Sequence, residues 1–210
     1  SFTFDNSFIS PTAFKNIRTV SEYLGVDHIC VKPSFALLRQ LFVASLQPGM
    51  YSPKALERAS GICNTCMAIA KGIGLRLALE HRIPLLVYGW SPGQAPLSSA
   101  FFRLNPSMLK AMLSALMAPL TKVAGDAVLN YFPETEHLEG KIESLYNVSP
   151  LAFLPYNQEI AIQELKALGW QRPKDTDPNS SNCLLNSFAN LVHFAQMGYH
   201  PYRSEEHTSE

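Results

Sequence analysis

Three cysteines have a spacing and a setting that suit metal or redox chemistry. Cys63 and Cys66 form a Cys-x-x-Cys pair, and Cys183 follows a polar loop and opens a predicted helix. Three thiolates are ligands for Zn²⁺ with a further ligand, or for a 4Fe-4S cluster with one open iron. A redox dithiol, or simply buried thiols, are the alternatives for this pair. Cys30, inside a predicted strand, is expected to be a core thiol.

A second group of residues follows the predicted strand Pro84–Tyr88. Its members are Gly89, Trp90, Ser91, Gly93 and Gln94. Glycines allow the backbone to approach a phosphate, and a glutamine amide can bond to its oxygens. Ligands of open parallel sheets bind outside the carboxyl ends of the strands, so this position favours a binding loop. An ordinary strand-to-helix turn is the alternative.

A polar loop precedes Cys183. Its candidate binding residues are Asp175, Thr176, Ser180 and Asn182. Their oxygen atoms could bind a substrate or Mg²⁺. The same residue types also form Asx turns and helix caps, so the loop has a purely structural interpretation as well.

The candidate site residues need strands and helices to position them. Local sequence signals predict these elements in the order β-α-β-α-α-α-β. The predicted elements are a strand at Ser1–Phe4, a helix at Pro11–Leu24, a strand at Val26–Lys32, a helix from Ser34 to Leu46, a short helix after Ser52, a helix at Thr65–His81 and a buried strand at Pro84–Tyr88. Serine or serine-proline starts and glycine stops mark the helix ends. Right-handed crossovers would make an α/β fold with a three-layer α/β/α parallel sheet.

The composition changes after residue 94. Helices are predicted at Asn105–Met117, Pro119–Asn130, Asn157–Leu168 and Leu184–Met197, with a returning strand at Tyr146–Leu154. We therefore expect a truncated α/β domain at 1–100 and a helical extension at 101–202, which carries the Cys183 loop. The tail 203–210 matches the translation of a sequencing adapter, and we expect it to be an artefact.

Composition limits the classes of function. The chain has 210 residues, of which 47% are hydrophobic and 16% charged, and its formal net charge is 0. It can bury a sizeable core, and it has no charge excess that would indicate a nucleic-acid partner. Four cysteines without a disulfide framework predict a reducing, cytoplasmic location. No run of about 18 apolar residues is present, so no membrane span is expected.

Three stretches together resemble the PP-loop ATP pyrophosphatases of the adenine-nucleotide α-hydrolase-like superfamily. They are Thr3–Asn6 with Asn16 and Ile17, Cys63 to Gln94, and Gly169 to Asn186. The similarity extends over about residues 1–202. It is strongest to the phosphoadenosine-phosphosulfate-reductase-like and N-acetyl sugar amidotransferase-like branch, and it implies a HUP or Rossmann-like sheet.

The resemblance implies a function and one defect. The family's Ser-Gly-Gly-x-Asp-Ser loop does not occur in this chain, so we expect an N-terminally truncated fragment that lacks the first strand and the P-loop and is inactive. The full-length enzyme would use ATP and Mg²⁺ to adenylate a small molecule, such as a sugar. Ammonia or sulfur from a partner protein would then displace AMP. Phe4, Asp5 and Asn6 would contact the adenine or ribose.

Two other functions stay open at this point. One is a redox enzyme of the sulfonucleotide reductase type, which would use the cysteines or an iron-sulfur cluster directly. The other is a non-catalytic interaction module, because the Met- and Leu-rich segment Pro106–Met117 could pack against another subunit, for example in a homodimer.

Overall fold

The computed structural model describes residues 1–57, 59–90, 97–134, 145–177, 180 and 182–200. It is a mixed α/β structure with 57% helix and small sheets, which confirms the α/β class. The chain divides into two compact units. The first unit contains Ser1–Cys66 and the described residues from Asn157, and the second contains Met67–Tyr156.

The first seven elements follow the predicted order. They are β1 (Phe2–Phe4), α1 (Pro11–Leu24), β2 (Ile29–Val31), α2 (Phe35–Ser45), α3 (Pro53–Leu56), α4 (Gly61–Glu80) and β3 (Leu85–Val87). The ends of α1 coincide with those expected from Pro11 and from Gly25, which has the left-handed conformation at φ 62°. The Ser34 side chain accepts a hydrogen bond from the Leu37 N–H at the start of α2, as predicted for a cap.

Helix α4 begins four residues before the predicted start at Thr65. Ser60 caps it, since its Oγ accepts a hydrogen bond from the Cys63 N–H at 3.2 Å. A Cβ at Gly61 would overlap the backbone oxygen of Ser45, which lies at the end of α2. Because Gly61 has no side chain, α4 can begin in close contact with the end of α2. Cys63, which the prediction placed before the helix, consequently lies within α4 together with Cys66.

The second half of the chain contains one strand that the sequence did not predict. Its elements are β4 (Phe101–Arg103), α5 (Pro106–Ala124), a 3₁₀ segment (Gly125–Tyr131), β5 (Tyr146–Val148), α6 (Gln158–Ala167) and α7 (Asn186–Met197). Helix α5 continues through Pro119, where two helices were predicted. Ala115, whose carbonyl loses its partner at this proline, is exposed, so water can bond to that carbonyl.

The described strands form two small sheets. In the first unit β1 pairs with β2 in parallel, with Thr3 opposite Cys30. The expectation that Cys30 is a core thiol is wrong, because β2 leaves Ile29 and Cys30 exposed. In the second unit the strand order is β3-β5-β4, with β3 parallel and β4 antiparallel to the central β5. The predicted burial of β3 on both faces is wrong. Leu85 and Val87 lie on the same face of this edge strand, and they are 44% and 61% exposed.

Two described helical segments are long and apolar enough to cross a membrane by length and composition alone. They are α4 and Pro106–Tyr131. Neither is an unbroken apolar run, so the expectation that the chain has no membrane span stays a prediction. In the most apolar 18-residue stretch of each segment, 56% is buried inside the protein for α4 and 17% for Pro106–Tyr131. Because core helices pass the same test, the finding does not decide location, and the cytoplasmic location stays a prediction.

Candidate functional site

The candidate site lies in the first unit, at the loop that leaves β1. Two consecutive side chains there accept hydrogen bonds from the backbone two residues later. Asp5 Oδ1 accepts from the Ser7 N–H at 2.8 Å, and Asn6 Oδ1 accepts from the Phe8 N–H at 2.9 Å. Ser7 has φ 67°, a conformation that is strained for a residue with a side chain. Lys32, at the end of β2, forms an ion pair with Asp5 at 3.0 Å. The loop is therefore fixed on both sides of Asn6.

Backbone pairing brings Cys183 to this loop. The Leu184 N–H donates to the Phe8 carbonyl, and the Ser10 N–H donates to the Asn182 carbonyl, both at 2.8 Å. Between these bonds, Ile9 and Cys183 form an antiparallel bridge. A short stretch of sheet-like pairing thus joins two distant parts of the sequence and places Cys183 near Asn6.

The first turns of α4 contribute the other two thiols. Cys63 and Cys66 are three residues apart, so they face the same side of the helix. Between them, Thr65 is fully buried and bonds to the Tyr51 hydroxyl at 2.8 Å and to the Gly61 carbonyl at 2.9 Å. Burial raises the pKa of Tyr51 to about 12, although the bond to Thr65 lowers it in part. The helix start is therefore held by buried polar contacts.

Asn6 connects the two parts of the site. Its Nδ2 atom lies 3.6 Å from the sulfur of Cys66 and 3.6 Å from the sulfur of Cys183, and it donates to both. The structure thus brings together two of the three predicted metal ligands. Cys63 is close enough to Cys183 for the two thiols to interact electrostatically. Asn6 was expected at an adenine or ribose, and that contact stays a prediction.

Burial keeps the two thiols of α4 in their neutral form. It raises the pKa of Cys66 to about 12, against a lowering effect of the hydrogen bond from Asn6. Burial also raises the pKa of Cys63, while a hydrogen bond with Ser60 lowers it. Neighbouring thiols raise both pKa values further, because two thiolates repel each other. A bound cation would have the opposite effect and favour the thiolates.

The donor set suits a soft metal, although its geometry is not that of a formed site. Within residues 1–57, 59–90 and the other described ranges, no group of three or more His, Cys, Asp or Glu side chains is arranged to hold one ion. Thiolates are nevertheless the preferred ligands of Zn²⁺ and of iron-sulfur clusters. Cys63, Cys66 and Cys183 therefore fit such a group by their chemistry.

The polar loop before Cys183 makes internal hydrogen bonds. Asp175 Oδ1 accepts from the buried hydroxyl of Ser10 at 2.9 Å, and the Thr176 hydroxyl donates to the Ser180 carbonyl at 2.8 Å. Ser180 Oγ accepts from the Cys183 N–H at 3.1 Å and interacts with Asn182. These bonds hold the backbone of Cys183 in place. A role of the four side chains in binding substrate or Mg²⁺ stays a prediction.

The predicted phosphate loop belongs to the second unit and is described only at its start. The rings of Tyr88 and Trp90 are stacked, with centroids 6.3 Å apart and an interplanar angle of 9°. A Cβ at Gly89 would meet no described atom within 4 Å. Ser91, Gly93 and Gln94 lie outside the described residues.

The chain is not matched by any protein-family model or by any curated protein sequence. The resemblance to the PP-loop ATP pyrophosphatases therefore stays a prediction from the quoted motifs.

Sequence reasoning missed several residues that support the site. Ser60, Thr65 and Tyr51 position the thiols of α4, and Ser7 shapes the loop that carries Asn6. A serine three residues before Cys63 is a recognisable cap signal. The contact between Tyr51 and Thr65 is tertiary and leaves no periodic trace in the sequence.

Proposed function

We propose that Cys63, Cys66 and Cys183 are metal ligands in an ATP-dependent adenylating enzyme of the ligase or amidotransferase type. The observation that carries this proposal is the position of Asn6, whose amide nitrogen lies 3.6 Å from sulfurs contributed by two distant segments. Buried thiols gathered in this way are a common arrangement for a soft metal ion or cluster. Either group would anchor the Cys183 loop to the start of α4.

The nucleotide part of the proposal has its support in the resemblance and in the position of the site. Asp5 and Lys32 end two parallel strands, and ligands of parallel α/β sheets bind at that edge. We propose that Phe4, Asp5 and Asn6 lie on the nucleotide side of a three-layer HUP or Rossmann-like sheet. Gly89, Trp90, Ser91, Gly93 and Gln94 would form its phosphate loop, and Asp175, Thr176, Ser180 and Asn182 would contact the substrate.

The proposed reaction has two steps. A carbonyl or carboxylate oxygen of a small molecule, for example a sugar derivative, attacks the α-phosphorus of ATP. An O–P bond forms, the bond between the α and β phosphates breaks, and pyrophosphate leaves with Mg²⁺. Ammonia or a sulfur donor then attacks the activated carbon, and AMP departs with the oxygen. Cations and backbone amides stabilise the charge on the phosphoryl group in such reactions.

The partners follow from this chemistry and from one exposed segment. Ammonia and reduced sulfur are supplied by a donor protein in the cytoplasm. Only 17% of the most apolar stretch of Pro106–Tyr131 is buried. This exposure favours a protein partner on that helix, such as a second copy of the chain. An interaction module without catalysis would show this surface and no metal.

A second candidate function is thiol redox chemistry. It is favoured by the Cys-x-x-Cys pair itself, whose thiols Cys63 and Cys66 face one side of α4 with Cys183 beside Cys66. It is also consistent with the lack of a formed three-ligand group among the described residues. In this case one thiolate would attack the sulfur of a sulfonucleotide and release the nucleotide. A second thiol would then displace sulfite and close a disulfide, so the sulfonucleotide is the oxidant.

Metal analysis separates the two candidates. The protein is purified without oxygen, and its zinc, iron and sulfide are measured with its absorption spectrum. We expect either one zinc per chain or iron and sulfide with a broad band near about 400 nm. Cys183→Ser should lose most of the metal, whereas Cys30→Ser, a change at an exposed thiol on β2, should retain it. Metal-free protein with reversible disulfides would favour the redox candidate.

The nucleotide proposal needs a separate test. Genomic sequence upstream of Ser1 should encode a strand followed by a glycine-rich Ser/Asp loop. The chain extended by that segment should exchange labelled pyrophosphate into ATP when a substrate is present. An upstream sequence without such a loop, or an extended chain that binds metal but not ATP, would overturn adenylation and leave the metal site standing.

A further inference from the structure

The side chain of Asn6 has all of its hydrogen-bonding groups in use. Its oxygen accepts from the Phe8 N–H at 2.9 Å, and its nitrogen, which carries two hydrogens, lies 3.6 Å from the sulfurs of Cys66 and Cys183. The residue is 7% exposed, so few water molecules compete for these groups. One carboxamide therefore has one hydrogen for each of two sulfurs.

The chemistry of the amide suits it to orienting those sulfurs. A carboxamide N–H is a donor only, and sulfur is an acceptor. An N–H that points at a sulfur therefore fixes the direction of that side chain and leaves the other lone pairs of the sulfur for a ligand. The neighbouring Asp5 is held separately, by Lys32 and the Ser7 N–H.

We propose that Asn6 is a positioning residue of the thiol site, which holds Cys66 and Cys183 as a pair with one N–H hydrogen each and directs both sulfurs to the same ligand. Cys63 is outside this pair, since the amide of Asn6 bonds to the other two sulfurs and the Cys63 backbone N–H donates to Ser60 Oγ. The cluster therefore consists of two sulfurs that bond to Asn6, and a third thiol, Cys63, whose backbone is held by the cap residue Ser60. This inference rests on the proposal that the thiols are the working groups of the site, but not on ATP or on the identity of the metal.

The backbone around Asn6 supports a positioning role. The Ser7 N–H donates to the Asp5 side chain, and the Phe8 N–H donates to the Asn6 side chain. These turn bonds fix the direction of the Asn6 side chain. Ser7 adopts φ 67° at a typical cost of about 1 kcal/mol for a residue other than glycine, and that conformation is part of the same turn. The loop thus presents the amide rigidly.

The test compares two asparagines in the reduced, metal-free protein. Asn6→Leu removes the two N–H donors while it keeps a similar shape. Asn16→Leu is the matched control, because Asn16 is also buried, accepts from the Gln171 N–H and donates to the Gln171 carbonyl. Each variant is treated with iodoacetamide at one pH, and alkylation of each cysteine is followed by mass spectrometry. Cobalt is then added, and its affinity and sulfur-to-cobalt charge-transfer bands are recorded.

We expect Asn6→Leu to slow alkylation of Cys66 and Cys183 by about tenfold, because both sulfurs lose the donor that orients them toward an incoming electrophile. The alkylation rate of Cys63 should change by less than about twofold, because the hydrogen bonds described for the Asn6 amide go to the other two sulfurs. Asn16→Leu should leave all three rates unchanged, even though it lowers stability. In the cobalt form, Asn6→Leu should shift the charge-transfer bands to lower energy, because the thiolates regain electron density.

Equal changes at all three cysteines, or no change at Cys66 and Cys183, would overturn the inference. If Asn6→Leu does not fold, Asn6→Asp replaces it in the alkylation assay, since it keeps the acceptor for Phe8 and removes both donors. Slower alkylation of the same two cysteines is expected there as well, and unchanged rates would count against the proposal. A wild-type protein that fails to bind cobalt would contradict the proposed metal function, while the alkylation rates would still decide the role of Asn6.

Discussion

The ends of β1 and β3 were predicted as sites by the same rule, and the structure treats them differently. At the end of β1, Asn6 bonds to two sulfurs, and backbone pairing adds Cys183 from the far part of the chain. At the end of β3, the described residues show a stacked Tyr88–Trp90 pair and an uncrowded Gly89. At the end of β1, the geometry of a site arises because distant segments bond to the strand end, whereas residues 91–96 after β3 lie outside the described part of the chain.

The largest expected effect comes from a glycine near the thiols. In Gly61→Ala the new methyl group would overlap the backbone oxygen of Ser45, so the start of α4 must move. We expect the free energy of unfolding to fall by at least about 2 kcal/mol, measured by urea titration. The displacement should also lower the metal content of the protein.

Gly89→Ala is the matched change at the other strand end. Its methyl group would meet no described atom, and Gly89 does not have a positive φ. We expect a change within about 0.5 kcal/mol. If the two glycine variants had equal effects, the contrast between the two regions would fail.

The next effect is a dependence of stability on pH that comes from the first region. Cys66 has its pKa raised from 9.0 to about 12 by burial in the folded, metal-free protein. Its contribution to stability is complete below pH 9 and is lost as pH rises toward 12, because the unfolded thiol ionises first. The free energy of unfolding should fall by up to about 1.4 kcal/mol per pH unit in this interval.

Two variants sharpen the pH comparison. Cys66→Ala should make the decline of stability with pH shallower in denaturant titrations between pH 9 and 12. Tyr88→Phe, in the second region, should have a smaller effect that begins only above pH 10, since burial raises the pKa of Tyr88 less strongly. An unchanged slope in Cys66→Ala would mean that the thiol is not buried as described.

The smallest effects concern ion pairs. Lys32→Gln leaves the buried carboxylate of Asp5 without its cation, and we expect a loss of about 1 kcal/mol because Lys32 itself is largely exposed. Glu80→Gln breaks an exposed pair with Arg76 in the second unit and should cost about 0.3–0.5 kcal/mol. Thermal unfolding in low and high salt checks both, since screening should reduce the effect at Glu80 more.

Local chemistry made much of the fold predictable. The serine cap before α2 and the Pro11 and Gly25 ends of α1 depend on residues within one turn, so a sequence reveals them. The start of α4 was harder to find, because it depends on the contact of Gly61 with α2. The short strand β4 was missed for a similar reason, since it exists through its pairing with β5.

The site was predictable in its residue types and less so in its contacts. Thiol spacing indicated Cys63, Cys66 and Cys183, and the structure brings them near one another. The role of Asn6 was not predicted, since an Asp-Asn pair after a strand is also an ordinary turn signal. Only the return of the chain at Cys183 gives that amide a second sulfur.

The pairing of Ile9 with Cys183 has a consequence for synthesis in the cell. Asn6 and the thiols of α4 leave the ribosome well before Cys183, so the nascent chain carries only two of the three thiols until residue 183 has emerged. Contacts between residues so far apart also form slowly, because a long loop must close first. A metal bound as proposed would therefore be loaded only after Cys183 has paired with Ile9.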